Sequence, residues 1–159
     1  MDKNEAVITR FYSAFQQLDY KTMNDCYSGD IVFFDPVFNL LRGHQVNAMW
    51  EMLCKNAKNF ELVFNNIVKL DDEYYTCEWI ASYTFSKTGK RVINKAKAFM
   101  RFADGKIIEH SDGFSIHKWS MQALGFSGWL FGWNRFYQQA ISKKAIRQLH
   151  QYMEQHPSV

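Results

Sequence analysis

His110 and Asp112 stand two residues apart in Ile107-Ile-Glu-His-Ser-Asp-Gly-Phe-Ser-Ile-His-Lys-Trp119, a stretch that reads as a β-strand. Successive side chains of a strand point to opposite faces. Ile108, His110, Asp112, Phe114 and Ile116 therefore share one face, and Glu109, Ser111, Gly113, Ser115 and His117 the other. An imidazole and a carboxylate on an otherwise apolar face are costly to bury unless paired. As a pair they can supply one acid and one base near neutral pH, because desolvation raises a carboxyl pKa and a neighbouring imidazolium lowers it. The plainer alternative is structural: His110 bonds a backbone carbonyl, and Asp112 caps a helix or accepts sheet-edge amides. A third group, Asp35, precedes Pro36 at the end of the apolar run Ile31-Val-Phe-Phe34. It is either turn chemistry or a further carboxylate for the same site. Tyr27 and Tyr83 are available as hydrogen-bond donors. His110, Asp112 and Asp35 could in principle form a metal-ligand set, but no H-x-x-x-H or H-E-x-x-H spacing supports one. No thiol or serine nucleophile motif and no glycine-rich phosphate loop is present either, so neither metal nor cofactor is expected.

The elements that must position these residues follow from periodicity. Val7, Phe11, Phe15 and Leu18 mark a first helix over residues 3–18, with Asp2 and Glu5 as its capping box. A short helix carrying Met23, Cys26 and Tyr27 follows Asp19, and residues 44–57 form a third helix with Val46, Met49, Trp50 and Leu53 on its stripe. From Phe60 the period changes to two. One strand shows Phe60, Leu62, Phe64, Val68 and Leu70 on one face, and the next shows Tyr75, Cys77, Trp79, Ala81, Tyr83 and Phe85. A third shows Val92, Asn94, Ala96, Ala98, Met100 and Phe102, and Asp104-Gly105 turns it into the His110 strand. Four strands joined by tight turns predict an antiparallel meander with helices over one face, an α+β fold.

With 159 residues, 47% of them hydrophobic and 17% aromatic, the chain forms one domain with a large core. A net charge of +3 is far from the dense basic clustering of nucleic-acid binders. Cys26, Cys54 and Cys77 have no C-x-x-C spacing and read as buried reduced thiols. With neither a signal-peptide core nor an apolar run of membrane-spanning length, a cytoplasmic protein is expected. Residues 119–137 hold Trp119, Phe126, Trp129, Phe131, Trp133, Phe136 and Tyr137, and a basic helix spans about 135–154. This tail is expected to pack as a helical cap on the sheet or across a dimer; membrane-surface contact through 126–137 is the weaker alternative.

Helix, short helix, strand, helix and meander, with Val7-Ile-Thr-Arg, Asp19 and Phe34-Asp35-Pro36-Val37 in step, resemble the NTF2-like superfamily, and within it the SnoaL-like and ketosteroid isomerase-like proteins. The resemblance covers about residues 5–118. It implies a cone-like curved antiparallel sheet of the cystatin-like/NTF2-like type, wrapped by the N-terminal helices around a pocket for a small hydrophobic ligand. An NTF2-like domain at 1–118 and a C-terminal helical extension at 119–159 packed on the same domain follow, as does a homodimer. The wall of that pocket is expected at Phe11, Phe15, Tyr27, Trp50, Trp79, Tyr83, Ala98, Met100 and Phe114. The resemblance puts a catalytic-base aspartate on Asp35, but Phe11 stands at the isomerases' oxyanion tyrosine and Ala98 at their oxyanion aspartate. Each such donor is worth a factor of about 10²–10³, which argues against steroid isomerisation by that route. Tyr12 is turned about 100° off the face. The implied chemistry is acid/base isomerisation, cyclisation or hydration centred on Asp112 and His110 with Asp35 assisting; the alternative is a non-catalytic ligand-binding or interaction module.

Overall fold

A computed structural model describes residues 1–157. Helix α1 (Lys3–Gln16) starts at Asp2, whose carboxylate accepts from the Glu5 amide at 2.9 Å while the Glu5 carboxylate accepts from the Asp2 amide. These reciprocal bonds satisfy two of the amides a helix start leaves open. Helix α2 (Tyr20–Asp25) is capped by Asp19, and strands β1 (Tyr27–Asp35) and β2 (Asn39–Arg42) form a hairpin before helix α3 (His44–Asn56). Then come β3 (Glu61–Lys69), β4 (Tyr74–Phe85), β5 (Lys90–Ala103) and β6 (Lys106–Gly113). Both Asp104 and Gly105 have positive φ, the geometry a type I′ hairpin requires.

The six strands make one sheet in the order β2-β1-β6-β5-β4-β3. The predicted four-strand meander is its β3–β6 part. Two strands extend it, and the sheet is not wholly antiparallel, because β1 runs parallel to β6 and pairs Phe33 with His110. That pairing joins segments some 80 residues apart, so alternation within either strand cannot reveal it. It also brings the Asp35 end of β1 beside the Asp112 end of β6.

Two irregularities correct the predicted faces. In β3 the pairing slips between Asn65 and Val68, with Asn66 in the left-handed region, so Leu62 is buried and Phe64 and Ile67 pack on the core while Val68 and Leu70 are exposed. In the β5–β6 ladder the register shifts after Arg101–Glu109, which makes Ile107 fully buried in place of Ile108. Such bulges add one residue to one strand and bend it. Beyond the second bulge His110 and Asp112 keep their inward face, whereas Ile116 and His117 belong to a helix and not to the strand.

Helix α1 lies over β3, and α3 lies over β1 and β2. Cys26, Cys54 and Cys77 are buried and unbridged; burial pushes the Cys54 and Cys77 thiols up to about 12. After the sheet come α4 (Ile116–Leu124), α5 (Phe126–Phe131) and α6 (Arg135–Gln155), so the last two residues of the 119–159 extension lie outside the described part. Helix α4 lies on β5, and α6 runs beside α3 with Leu149 fully buried; its Ser142 hydroxyl donates to the Pro36 carbonyl at 3.3 Å. No helix among the described residues is long and apolar enough to cross a membrane.

The aromatic tail divides. Trp119 packs edge-on against Phe85 at 5.4 Å, but Phe126, Trp129, Phe131, Trp133 and Phe136 are exposed in the single chain. Of the run, Trp119 lies against the sheet and Tyr137 is half-buried at the cavity, whereas the other five are bare in the single chain.

Candidate active site

Helices α3 and α6 and the ends of β1, β4, β5 and β6 enclose a cavity of about 870 Å³. Its wall is mostly apolar, and Phe15, Trp50, Trp79 and Phe114 belong to it together with Tyr83. Of the other expected wall residues, Phe11, Tyr27, Ala98 and Met100 do not reach it: all four are buried elsewhere in the core, on α1, β1 and β5. Met100 pairs with His110 across the β5–β6 ladder, and Ala98 pairs with Asp112.

Asp35 and Asp112 both line the cavity. Asp112 is 4% exposed and its Oδ1 accepts two bonds, from Trp79 Nε1 at 3.0 Å and from His110 Nε2 at 3.0 Å. Oδ2 has no protein partner among the described residues. His110 does not line the cavity but sits behind Asp112, boxed by Phe11, Phe33 and Trp50 with ring centroids at 5.5, 5.2 and 6.4 Å. Its Nδ1 lies 2.7 Å from the Tyr27 hydroxyl, which in turn accepts from Trp50 Nε1 at 2.9 Å.

This chain of bonds sets its own proton order. An indole nitrogen only donates, so the Tyr27 oxygen accepts from Trp50 and its single hydrogen goes to His110 Nδ1. Nδ1 is then an acceptor, the ring proton is on Nε2, and Nε2 donates to Asp112. Every polar atom from Trp50 to Asp112 Oδ1 is satisfied, which is what burial at this depth demands. Burial first, and the charge of Asp112 second, hold the Tyr27 hydroxyl well above its ordinary pKa, so it stays a donor. His110 thus aims and supports Asp112.

Asp35 is held differently. One oxygen, Oδ1, accepts from the Val37 and Phe38 amides at 2.8 and 2.6 Å, the local bonding of a turn that starts with Asp before Pro36. Its other oxygen has no partner among the described residues. Burial pushes the Asp35 carboxyl up to about 7; the Phe38 amide opposes this, and the charge of Asp112 adds to it. The turn role and the cavity role are therefore both present, on different oxygens.

Two further cavity groups were not singled out in the sequence. Asn94 lines the cavity from β5, and Trp119 lines it from α4, its indole donating to the Tyr83 hydroxyl at 2.8 Å. That bond leaves the Tyr83 hydrogen free for another acceptor. A lone amide on the apolar face of β5 was the legible signal for Asn94; nothing local marks Trp119. Tyr12 does not replace the missing oxyanion tyrosine, yet it is no surface residue either: it is buried, stacked on Phe64 at 5.4 Å, and its hydroxyl has no partner among the described residues. Among those residues no three His, Cys, Asp or Glu side chains converge to hold a metal.

Residues 8–110 match the family model described as a SnoaL-like domain. No curated protein matches the chain. Solved structures do. A candidate SnoaL-like polyketide cyclase from a Jannaschia species is 12% identical with a TM-score of 0.67, covering 78% of this chain and 92% of its own. A candidate polyketide cyclase from Pseudomonas putida is 18% identical with a TM-score of 0.64 over 77% of this chain and 98% of its own. A protein with a ketosteroid isomerase-like fold from Catenulispora acidiphila, in complex with trimethylamine, is 12% identical with a TM-score of 0.65, covering 74% and 91%. Likeness at these identities carries the fold alone.

Proposed function

The chain belongs to the SnoaL-like domain family, and from that premise we propose that it is an acid/base enzyme acting on a small hydrophobic carbonyl compound. One observation carries the reading: two carboxylates from different strands, Asp35 and Asp112, face one apolar cavity, and one of them is pushed up to about 7. Asp112 Oδ2 takes a proton from the carbon next to the carbonyl. Asp35, protonated in part at neutral pH, gives a proton to the carbonyl oxygen as charge develops there, and Tyr83 and Asn94 lie on the same wall as further donors. Returning the proton to another carbon isomerises the substrate; attack of the enol carbon on a second carbonyl cyclises it. His110 positions Asp112 and does not touch substrate. Phe11 and Ala98 stand where steroid isomerases keep their oxyanion donors, so the substrate is not a steroid processed by that pair.

The same two residues favour a second reading, a module that holds a hydrophobic ligand without turning it over. Pairing as a homodimer is supported by the outer face of the sheet, where Phe34, Val63, Ile93 and Phe99 are exposed.

Hydrogen–deuterium exchange separates the readings. With 1-tetralone as a probe in D₂O, the wild-type protein is expected to speed exchange next to the carbonyl and Asp112→Asn to lose it. Equal rates for the two proteins overturn the role of Asp112. Retention of the probe with no exchange by either leaves the binding module.

A further inference from the structure

We propose that α5 and the start of α6 form a docking surface for an anionic lipid bilayer. Phe126, Trp129, Trp133 and Phe136 are 73%, 62%, 67% and 81% exposed, with Phe126 stacked on Trp129 at 6.0 Å, more large apolar side chains on one short segment than soluble monomers commonly bare. Their outward direction is built in. A methyl group on Gly128 would lie 1.9 Å from the Ser120 carbonyl oxygen, and one on Gly132 2.3 Å from the Ser120 hydroxyl. Only glycine lets α5 lie that close to α4, and this contact turns the opposite side of α5, with its aromatics, to solvent.

Charge chooses the occupant. From Gly113 to Met153 the chain has Lys118, Arg135, Lys143, Lys144 and Arg147 and neither Asp nor Glu, although the whole protein nets only +3. The Lys90 side chain lies alongside Gly125 at the start of α5 and brings a further cation there. A second copy docking through the same face would set cations against cations. Tryptophan and phenylalanine on a segment whose only charged side chains are lysine and arginine match a negatively charged lipid surface, in which the rings reach the acyl boundary and the cations stay among the headgroups. The cavity borders this surface, since Ser127 of α5 and Tyr137 and Lys144 of α6 line it. If the acid/base reading above holds, apolar substrate can enter from the bilayer, but the docking itself does not depend on turnover.

The test is co-sedimentation of the full chain with vesicles of phosphatidylcholine alone and of phosphatidylcholine mixed equally with phosphatidylglycerol, with tryptophan emission followed in parallel. Binding to the mixed vesicles with a blue-shifted emission is expected. It should fall when salt is raised and drop roughly fivefold for each basic side chain removed, as in Arg135→Gln. Trp129→Ser/Trp133→Ser should abolish it with unchanged circular dichroism, both positions being exposed. Absence of binding to the mixed vesicles, or equal binding by the double variant, overturns the proposal. So does light scattering that shows a lipid-free dimer which the double variant converts to monomer, because the face then belongs to a second copy.

Discussion

The chain places its aromatic residues in two regions that treat them in opposite ways. At the cavity wall and behind it, Trp79 bonds Asp112, Tyr27 bonds His110, the Trp50 indole bonds the Tyr27 hydroxyl, and Phe11 and Phe33 close the box. On α5, Trp129 has no described partner outside its own helix neighbourhood, and the Trp133 indole bonds only to the Leu130 carbonyl three residues back. The same residue types are thus a rigid support where they bond to a buried acid, and a free surface where they do not. The difference tells substitutions apart: behind the cavity they should change chemistry and stability together, and on α5 neither.

The largest effect is expected from Asp112→Asn, which removes the base but keeps an oxygen for Trp79 and His110. Turnover should fall by about 10²–10⁴ with melting little changed, as measured by steady-state kinetics and thermal unfolding. Next is Asp35→Asn. The carboxyl is at 3.8 unfolded and about 7 folded, so the native state binds more protons across that interval. Wild-type stability should therefore decline as pH rises from about 4 to about 7 and stay low above it, where a charged Asp35 must be buried. The amide keeps an acceptor for the Val37 and Phe38 amides, so the variant should show a flat profile and exceed wild type above pH 7 by up to about 4 kcal/mol in urea unfolding. Loss of the alkaline limb of kcat/KM in the same variant would tie the stability effect to the chemistry.

Tyr27→Phe tests the support directly. It leaves the Trp50 indole and His110 Nδ1 without partners in a closed core, which should cost roughly 2–3 kcal/mol and lower turnover with little effect on KM. An unperturbed variant would mean that the bonds behind Asp112 are incidental. The smallest effect is expected from Trp129→Ser/Trp133→Ser, within about 0.5 kcal/mol of wild type and with no change in turnover on a water-soluble probe. A large destabilisation there would erase the contrast between the two regions.

What could be read from the chain alone follows the range of each interaction. The Asp2–Glu5 capping box, the Asp104-Gly105 turn and the inward direction of His110 and Asp112 are local, and residue type with spacing reveals them. Bulges at Asn66 and Ile108 shift faces that strict alternation would continue, because one extra residue is accommodated by a bend in the strand that carries it. The parallel β1–β6 pairing, the Trp79 bond to Asp112 and the Trp119 bond to Tyr83 join distant segments, and periodicity states which face a residue takes but not which neighbour it meets. The same limit explains the pocket wall. Phe11, Tyr27, Ala98 and Met100 face inward as expected, yet none of them reaches the cavity.

The central claim is that Asp35 and Asp112 share one cavity with Asp35 close to half protonated at neutral pH. Carboxyl-carbon NMR titration of the protein with ¹³C-labelled aspartate tests it without any substrate, Asp35→Asn assigning the resonance. A midpoint near 7 for Asp35 is the expected result; a midpoint near the ordinary aspartate value of about 4 would contradict it.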